Sequence, residues 1–163
     1  MLPDRIHLYL LLDLESAPET LTRLLAGVTD PAMWDRRPDP NRFTLREMMA
    51  HLADWEGVFL GRLTQTRDEG NATLHGLDEG QVARDNDYAH ADPWECLARY
   101  EAGRREIVAF LRGLSPEQWA RSGTHTEIGP ITIEGQTILI AAHDGYHRQQ
   151  LLAFSIPKDG DER

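Results

Sequence analysis

The chain is poor in the features that mark several common protein classes. It has one cysteine, Cys96, in 163 residues, which excludes an intrachain disulfide and a thiolate metal cluster. It has no apolar run long enough to span a bilayer. The stretch from Leu8 to Leu12 is apolar, but Asp13 and Glu15 cut it short, so no signal peptide is expected. Basic residues are outnumbered: 17 Lys and Arg against 27 Asp and Glu give a formal net charge of −10. Nucleic-acid binding and docking on an anionic membrane both draw on clustered positive charge, so neither is expected. The motifs G-x-S-x-G, G-x-x-x-x-G-K-[ST] and G-x-G-x-x-G are missing. No E-x-x-H pair repeats on two helices, which argues against a di-iron carboxylate site. A cytoplasmic protein is the simplest expectation.

What is present is helical periodicity. The spacing predicts four amphipathic segments and little strand. The first runs from about Asp4 to Val28 on Ile6, Leu10, Leu14, Ala17, Leu21, Leu24 and Val28, with Pro18 expected to kink or split it. The second opens on a capping box, Thr44-Leu45-Arg46-Glu47. It carries Leu45, Met48, Met49, Leu52, Trp55, Phe59 and Leu63 to about Arg67. A long connection over residues 68–91 follows, with a short helix near Asp78–Arg84. The third segment starts at Asp92-Pro93-Trp94-Glu95, a cap with proline at the first helical position, and ends at Gly113. Ser115-Pro116-Glu117-Gln118-Trp119 reads as a short capped turn, and residues 123–131 as a loop with room for a few extended residues. The fourth segment spans about Thr132 to Ser155. Four such helices predict an all-α fold, a four-helix bundle with a long connection between helices two and three. Residues 1–157 are expected to form one domain and 158–163 a disordered polar tail.

His143 and His147 lie one helical turn apart on the apolar face of the fourth segment. Neighbours at i, i+4 stand roughly 5–6 Å apart at Cβ, close enough for two imidazoles to share one metal ion. His51, at the edge of the stripe through Met48 and Leu52, is a third ligand candidate. The competing reading is that these are core histidines bonded to carboxylates or backbone. His143-Asp144-x-x-His147 also has the spacing of the zinc-protease H-E-x-x-H motif, with the shorter Asp in place of Glu. The sixteen residues after His147 hold no further histidine, which counts against a protease.

Weaker candidates surround these. Asp144 could accept a hydrogen bond from a ligand histidine or be a surface acid. Tyr146 could present a hydroxyl or simply pack. Arg104 could orient an anionic substrate or form a surface pair with Glu101. Asp54 and Glu56 are expected to be solvated, Cys96 to fill the core and the four tryptophans to anchor it. His7, His75, His90 and His125 have no ligand-like spacing.

The segment Glu47-Met48-Met49-Ala50-His51-Leu52-Ala53-Asp54-Trp55-Glu56 resembles the second-helix signature of the DinB/YfiT-like superfamily. His143-Asp144-Gly145-Tyr146-His147-Arg148-Gln149-Gln150-Leu151 resembles its last-helix signature. The approach from Arg37-Pro38 to Phe43-Thr44-Leu45 is similar as well. The resemblance implies a four-helix bundle in which His51, His143 and His147 hold a divalent metal ion, zinc or nickel. It implies a homodimer and a metal-dependent transferase that conjugates a low-molecular-weight thiol, of bacillithiol type, to a small electrophile. A metal-dependent hydrolase and a noncatalytic metal-binding stress-response scaffold are the alternatives.

Overall fold

The computed structural model describes residues 2–37 and 39–155, without the side chains at 153 and 155. Pro38, the expected domain end at 157 and the expected 158–163 tail fall outside the described residues.

Four long helices carry the fold: α1 (Asp4–Leu25), α2 (Leu45–Glu69), α4 (Pro93–Arg112) and α6 (Ile133–Ser155). The connection between α2 and α4 holds strand β1 (Thr73–Leu74), helix α3 (Glu79–Asp85) and a 3-10 turn, Tyr88–His90. Between α4 and α6 lie the short helix α5 (Pro116–Trp119) and strands β2 (Ser122–His125) and β3 (Gly129–Thr132). The principal contacts set α1 against α4 and α6, and α2 against α4 and α6. Helices α4 and α6 therefore sit on a diagonal of the bundle, as do α1 and α2.

The helix boundaries follow from local chemistry. Thr44 Oγ1 accepts from the Glu47 amide at 3.2 Å, and Glu47 Oε2 accepts from the Thr44 amide at 2.7 Å. Two free amide donors at the start of α2 are thereby satisfied. Asp92 accepts from the amides of Trp94 and Glu95, with Pro93 supplying no donor to satisfy. Asp78 caps α3 in the same way, through the Gln81 amide.

Two expectations are refined. Helix α1 is not split at Pro18 but runs as one helix from Asp4 to Leu25. Leu14, Ala17, Leu21 and Leu25 form one continuous buried face across it, and this packing outweighs the local loss of about 3 kcal/mol that an interior proline costs. The buried face runs through Leu25 rather than Leu24, and Ile6 is exposed. The second refinement concerns residues 123–131, whose extended residues lie in paired strands of a small sheet of order β1-β2-β3. Strand β1 pairs in parallel with β2, and β2 pairs antiparallel with β3, Gly123 opposite Ile131. The hairpin closes at Gly129, whose φ of +81° is open to glycine at little cost. These strands are too short to show an alternating pattern, and their pairing partners lie outside any local window.

The apolar core falls into two clusters. One holds Leu21, Met48, Leu52, Leu97, Tyr100, Leu151 and Phe154. The other holds Leu14, Phe59, Ile107, Leu111, Ile133 and Ile140. Along α2, α4 and α6 the gap between clusters is filled by His51 and Glu56, by Arg104, and by His143, Asp144 and His147. A polar layer crosses the bundle at this level. Among the described residues, no helix is long and apolar enough to cross a membrane.

Candidate metal centre

Helix α2 contributes His51 and helix α6 contributes His143 and His147. The Nε2 atoms of His51 and His143 stand 3.0 Å apart, and those of His143 and His147 3.2 Å apart. His51 is fully buried and His147 is nearly so, whereas His143 is half-buried. The sequence expectation that the i, i+4 pair meets a third histidine from a distant helix describes this geometry.

Apolar rings wall the cluster. The His51 ring lies between Phe43 and Trp55, with centroids 5.3 and 4.2 Å away. Phe59 meets His143 edge-on at 5.3 Å. Burial, reinforced by the neighbouring imidazoles, pushes His51 down to about 3 and His143 to about 2, from an ordinary value near 6.5. Burial also lowers His147, against opposing contributions from Gln150 and Asp144. The imidazoles are therefore neutral, the form that binds a metal.

The nitrogen lone pairs decide what this cluster fits. A neutral imidazole has one N–H and one lone pair. His147 Nδ1 lies 2.8 Å from Gln150 Oε1, so its N–H points there and its Nε2 lone pair points into the cluster. Three Nε2 atoms then meet through His143, and the two Nε2–Nε2 contacts cannot each have an N–H of their own. A cation satisfies all three at once. Tetrahedral zinc, bonded to nitrogen at about 2.0–2.1 Å, holds neighbouring nitrogens about 3.3 Å apart, close to the spacing seen. Among the described residues no fourth His, Cys, Asp or Glu joins the group. The Nδ1 atoms of His51 and His143 are buried with no hydrogen-bond partner among the described residues, so only His147 has its second nitrogen engaged there.

Other expected residues fall elsewhere. Asp144 is neither a surface acid nor an acceptor for a ligand histidine. It is buried and binds Arg104, with Nη2 to Oδ1 at 3.0 Å and a second contact from Nη1 to Oδ2. Arg104 does not pair with Glu101; it is buried on α4 and donates to Glu56 as well, at 2.9 Å from Nε and 2.6 Å from Nη2. Glu101 instead accepts from Thr22. Glu56, expected in solvent, is 2% exposed, and burial raises its pKa against the lowering pull of Arg104. Asp54 is likewise engaged, accepting from Tyr88, Asn86 and Arg99. Cys96 is buried, its thiol pushed up by that burial. Trp55 and Trp119 are core residues, but Trp94 is 49% exposed and packs edge-on against Trp34.

Tyr146 stands at the rim, its ring 5.1 Å from that of His147. Its hydroxyl accepts from Arg42 Nη1 at 2.8 Å. The remaining histidines do not join the cluster: His7 pairs with Glu134 and stacks on Trp119, His90 pairs with Asp87, and His125 accepts from the Glu127 amide. Three contributors escaped sequence reasoning. Gln150 could have been found three residues after His147 on the same helix face. Phe43 and Arg42 carry no local signal, because only the fold brings their loop over the histidines.

The model of the DinB superfamily matches residues 13–151. A protein of Oceanobacillus iheyensis named "Putative metal-dependent hydrolase" is 27% identical over 148 residues, 90% of this chain and 84% of that one. YfiT from Bacillus subtilis, described as "a probable metal-dependent hydrolase with an unusual four-helix bundle topology", superposes with a TM-score of 0.88 at 23% identity. That match covers 95% of this chain and 89% of YfiT. A DinB-like protein of the same organism, YjoA, gives a TM-score of 0.60 at 12% identity over 90% of each chain. The two structures share the fold, a four-helix bundle, and the family match spans the cluster from His51 to His147: the chain belongs to the DinB superfamily.

Proposed function

We propose that His51, His143 and His147 hold one divalent metal ion, zinc or nickel, and that the chain is a metal-dependent transferase joining a low-molecular-weight thiol of bacillithiol type to a small electrophile. The observation that carries this reading is the convergence of three Nε2 atoms with no fourth ligand among the described residues. A closed structural site would use four. The chemistry such an ion supplies is Lewis acidity, which favours the thiolate form of a thiol and lowers the pKa of water.

The chain's own residues set the rest. Gln150 fixes the tautomer of His147. Phe43, Trp55 and Phe59 keep water from the ring faces. Cys96 is buried in the core, so the reacting thiol comes from a cosubstrate. The acids beside the ligand histidines in the sequence already have partners: Glu56 and Asp144 bind Arg104, and Asp54 binds Tyr88 and Asn86. A general base for water would have to give up one of these contacts. A thiol, with an ordinary pKa near 8.5, needs less help than water to ionise, which favours thiol transfer.

Hydrolysis is the second reading, favoured by the names of the relatives. Both readings need the metal, and one assay separates them. Zinc- or nickel-loaded protein is given monochlorobimane with bacillithiol, and separately 4-nitrophenyl acetate without thiol. Metal-dependent conjugation, lost in His147→Ala, supports transfer. Metal-dependent ester cleavage without conjugation replaces it with hydrolysis. Neither activity in protein that binds metal leaves the scaffold reading. A homodimer belongs to this proposal too, supported by exposed Leu8, Tyr9 and Leu12 on α1, and sedimentation equilibrium tests it.

A further inference from the structure

Two side chains from different elements meet above the histidines. Arg42 comes from the loop before α2 and Tyr146 from α6. Each is tied to a different histidine: Phe43, next to Arg42, packs on His51, and the Tyr146 ring meets His147 edge-on. Arg42 Nη1 donates to the Tyr146 hydroxyl at 2.8 Å, and its guanidinium lies 5.6 Å from the Tyr146 ring centre. The Arg42 Nε donates to Asp39 at 3.2 Å. One N–H of Nη1 and both of Nη2 make no bond among the described residues, which leaves the end of the guanidinium fork open.

The loop that carries Arg42 is held in place. Arg37 donates to the Arg42 carbonyl at 2.5 Å and to both carboxylate oxygens of Glu47 at 2.7 and 2.8 Å. Glu47 is the N3 member of the α2 capping box, paired with the N-cap Thr44. The guanidinium of Arg42, ion-paired on its Nε side with Asp39, is thus placed at the rim of the cluster, on a chain whose formal net charge is −10. A negatively charged small molecule would be repelled by most of this surface. At this point it meets a guanidinium whose geometry matches a carboxylate.

We propose that Arg42, oriented by Tyr146, binds a carboxylate of the small molecule that occupies the site, so that the substrate class is a carboxylate-bearing thiol or electrophile. This inference rests on the thiol-transfer reading. Arg42 is the binding group and Tyr146 a positioning residue.

The test uses cobalt(II)-loaded protein, in which a bound thiolate gives a charge-transfer absorption. 3-Mercaptopropionate and 2-mercaptoethanol are titrated against wild type, Arg42→Ala, Arg42→Lys and Tyr146→Phe. Arg42 is on the surface, so its variants leave the core intact. If the carboxylate belongs to the thiol, wild type prefers 3-mercaptopropionate by roughly tenfold. Arg42→Ala abolishes that preference, and Arg42→Lys restores part of it. Tyr146→Phe weakens the preference with little change in 2-mercaptoethanol binding. If the carboxylate belongs to the electrophile, Arg42→Ala instead lowers kcat/KM for iodoacetate but not for iodoacetamide, with 2-mercaptoethanol as the thiol. Equal behaviour of the charged and uncharged probes in wild type and Arg42→Ala, in both arms, overturns the inference. Absence of a thiolate band with either thiol overturns the thiol-transfer reading instead. The carboxylate site is then decided by propionate titration of the metal-free protein followed by tryptophan fluorescence. Binding lost in Arg42→Ala supports it, and no binding in wild type removes it.

Discussion

Gly103 of α4 lies so close to Glu56 of α2 that a methyl group on it would stand 2.5 Å from the Glu56 Cβ. This contact brings the two helices together where Arg104 must reach Glu56. Gly103→Ala is expected to cost about 1–3 kcal/mol, the usual range for overpacking a tight contact. Gly57, on the exposed side of α2, has open space where such a methyl would stand, with no neighbouring atom within 4 Å. Gly57→Ala is expected to stabilise by about 0.5–1 kcal/mol through helix propensity. Urea unfolding of the two variants should shift in opposite directions.

Arg104 spans the diagonal of the bundle and pairs with two buried carboxylates, one each from α2 and α6. Arg104→Met leaves both without their cation and is expected to cost about 3–5 kcal/mol. Adding Glu56→Leu and Asp144→Leu to that variant removes the unpaired charges and should recover most of the loss. Chemical denaturation of the single and triple variants checks this.

The histidine cluster makes metal-free stability depend on pH. His51 and His143 are held at about 3 and about 2 in the folded chain, against 6.5 as the ordinary value. The unfolded chain therefore binds more protons below pH 6.5. Stability is fully present above that pH and is lost as the pH falls toward the folded values. The loss is about 1.4 kcal/mol per pH unit for each histidine. Denaturation of metal-free protein at pH 7.5 and 5.5 should show the drop, and His143→Gln should reduce its slope.

Metal content is expected to approach one equivalent of zinc or nickel in native protein and to vanish in His147→Ala, as read by plasma mass spectrometry. Chelator treatment should lower the melting temperature of the native protein and leave the variant unchanged, because ligand binding stabilises only the fold that binds.

Gln150 holds the second nitrogen of His147. Gln150→Leu should weaken metal affinity about 10–100-fold while the helical circular dichroism signal persists. Competition with a chromogenic chelator measures this.

The amino-acid sequence by itself determined the helices, their caps and the spacing of His143 and His147. Capping boxes, proline at the first helical position and apolar periodicity act within one or two turns, so a short window contains their whole cause. That window also placed His143 and His147 on the face of α6 shared with Ile140 and Leu151. Tertiary structure decided what those side chains meet. His51 comes within 3.0 Å of His143 across 92 positions of chain, and Arg104 finds its carboxylates 48 and 40 positions away. The sequence resemblance could suggest the first of these meetings; no local pattern in α4 distinguishes a buried arginine from a solvated one. The continuity of α1 through Pro18 and the pairing of β1 with β2 have the same origin. Each is settled by the burial of surfaces from distant segments, which is a property of the assembled bundle and outweighs the local preference of any one residue.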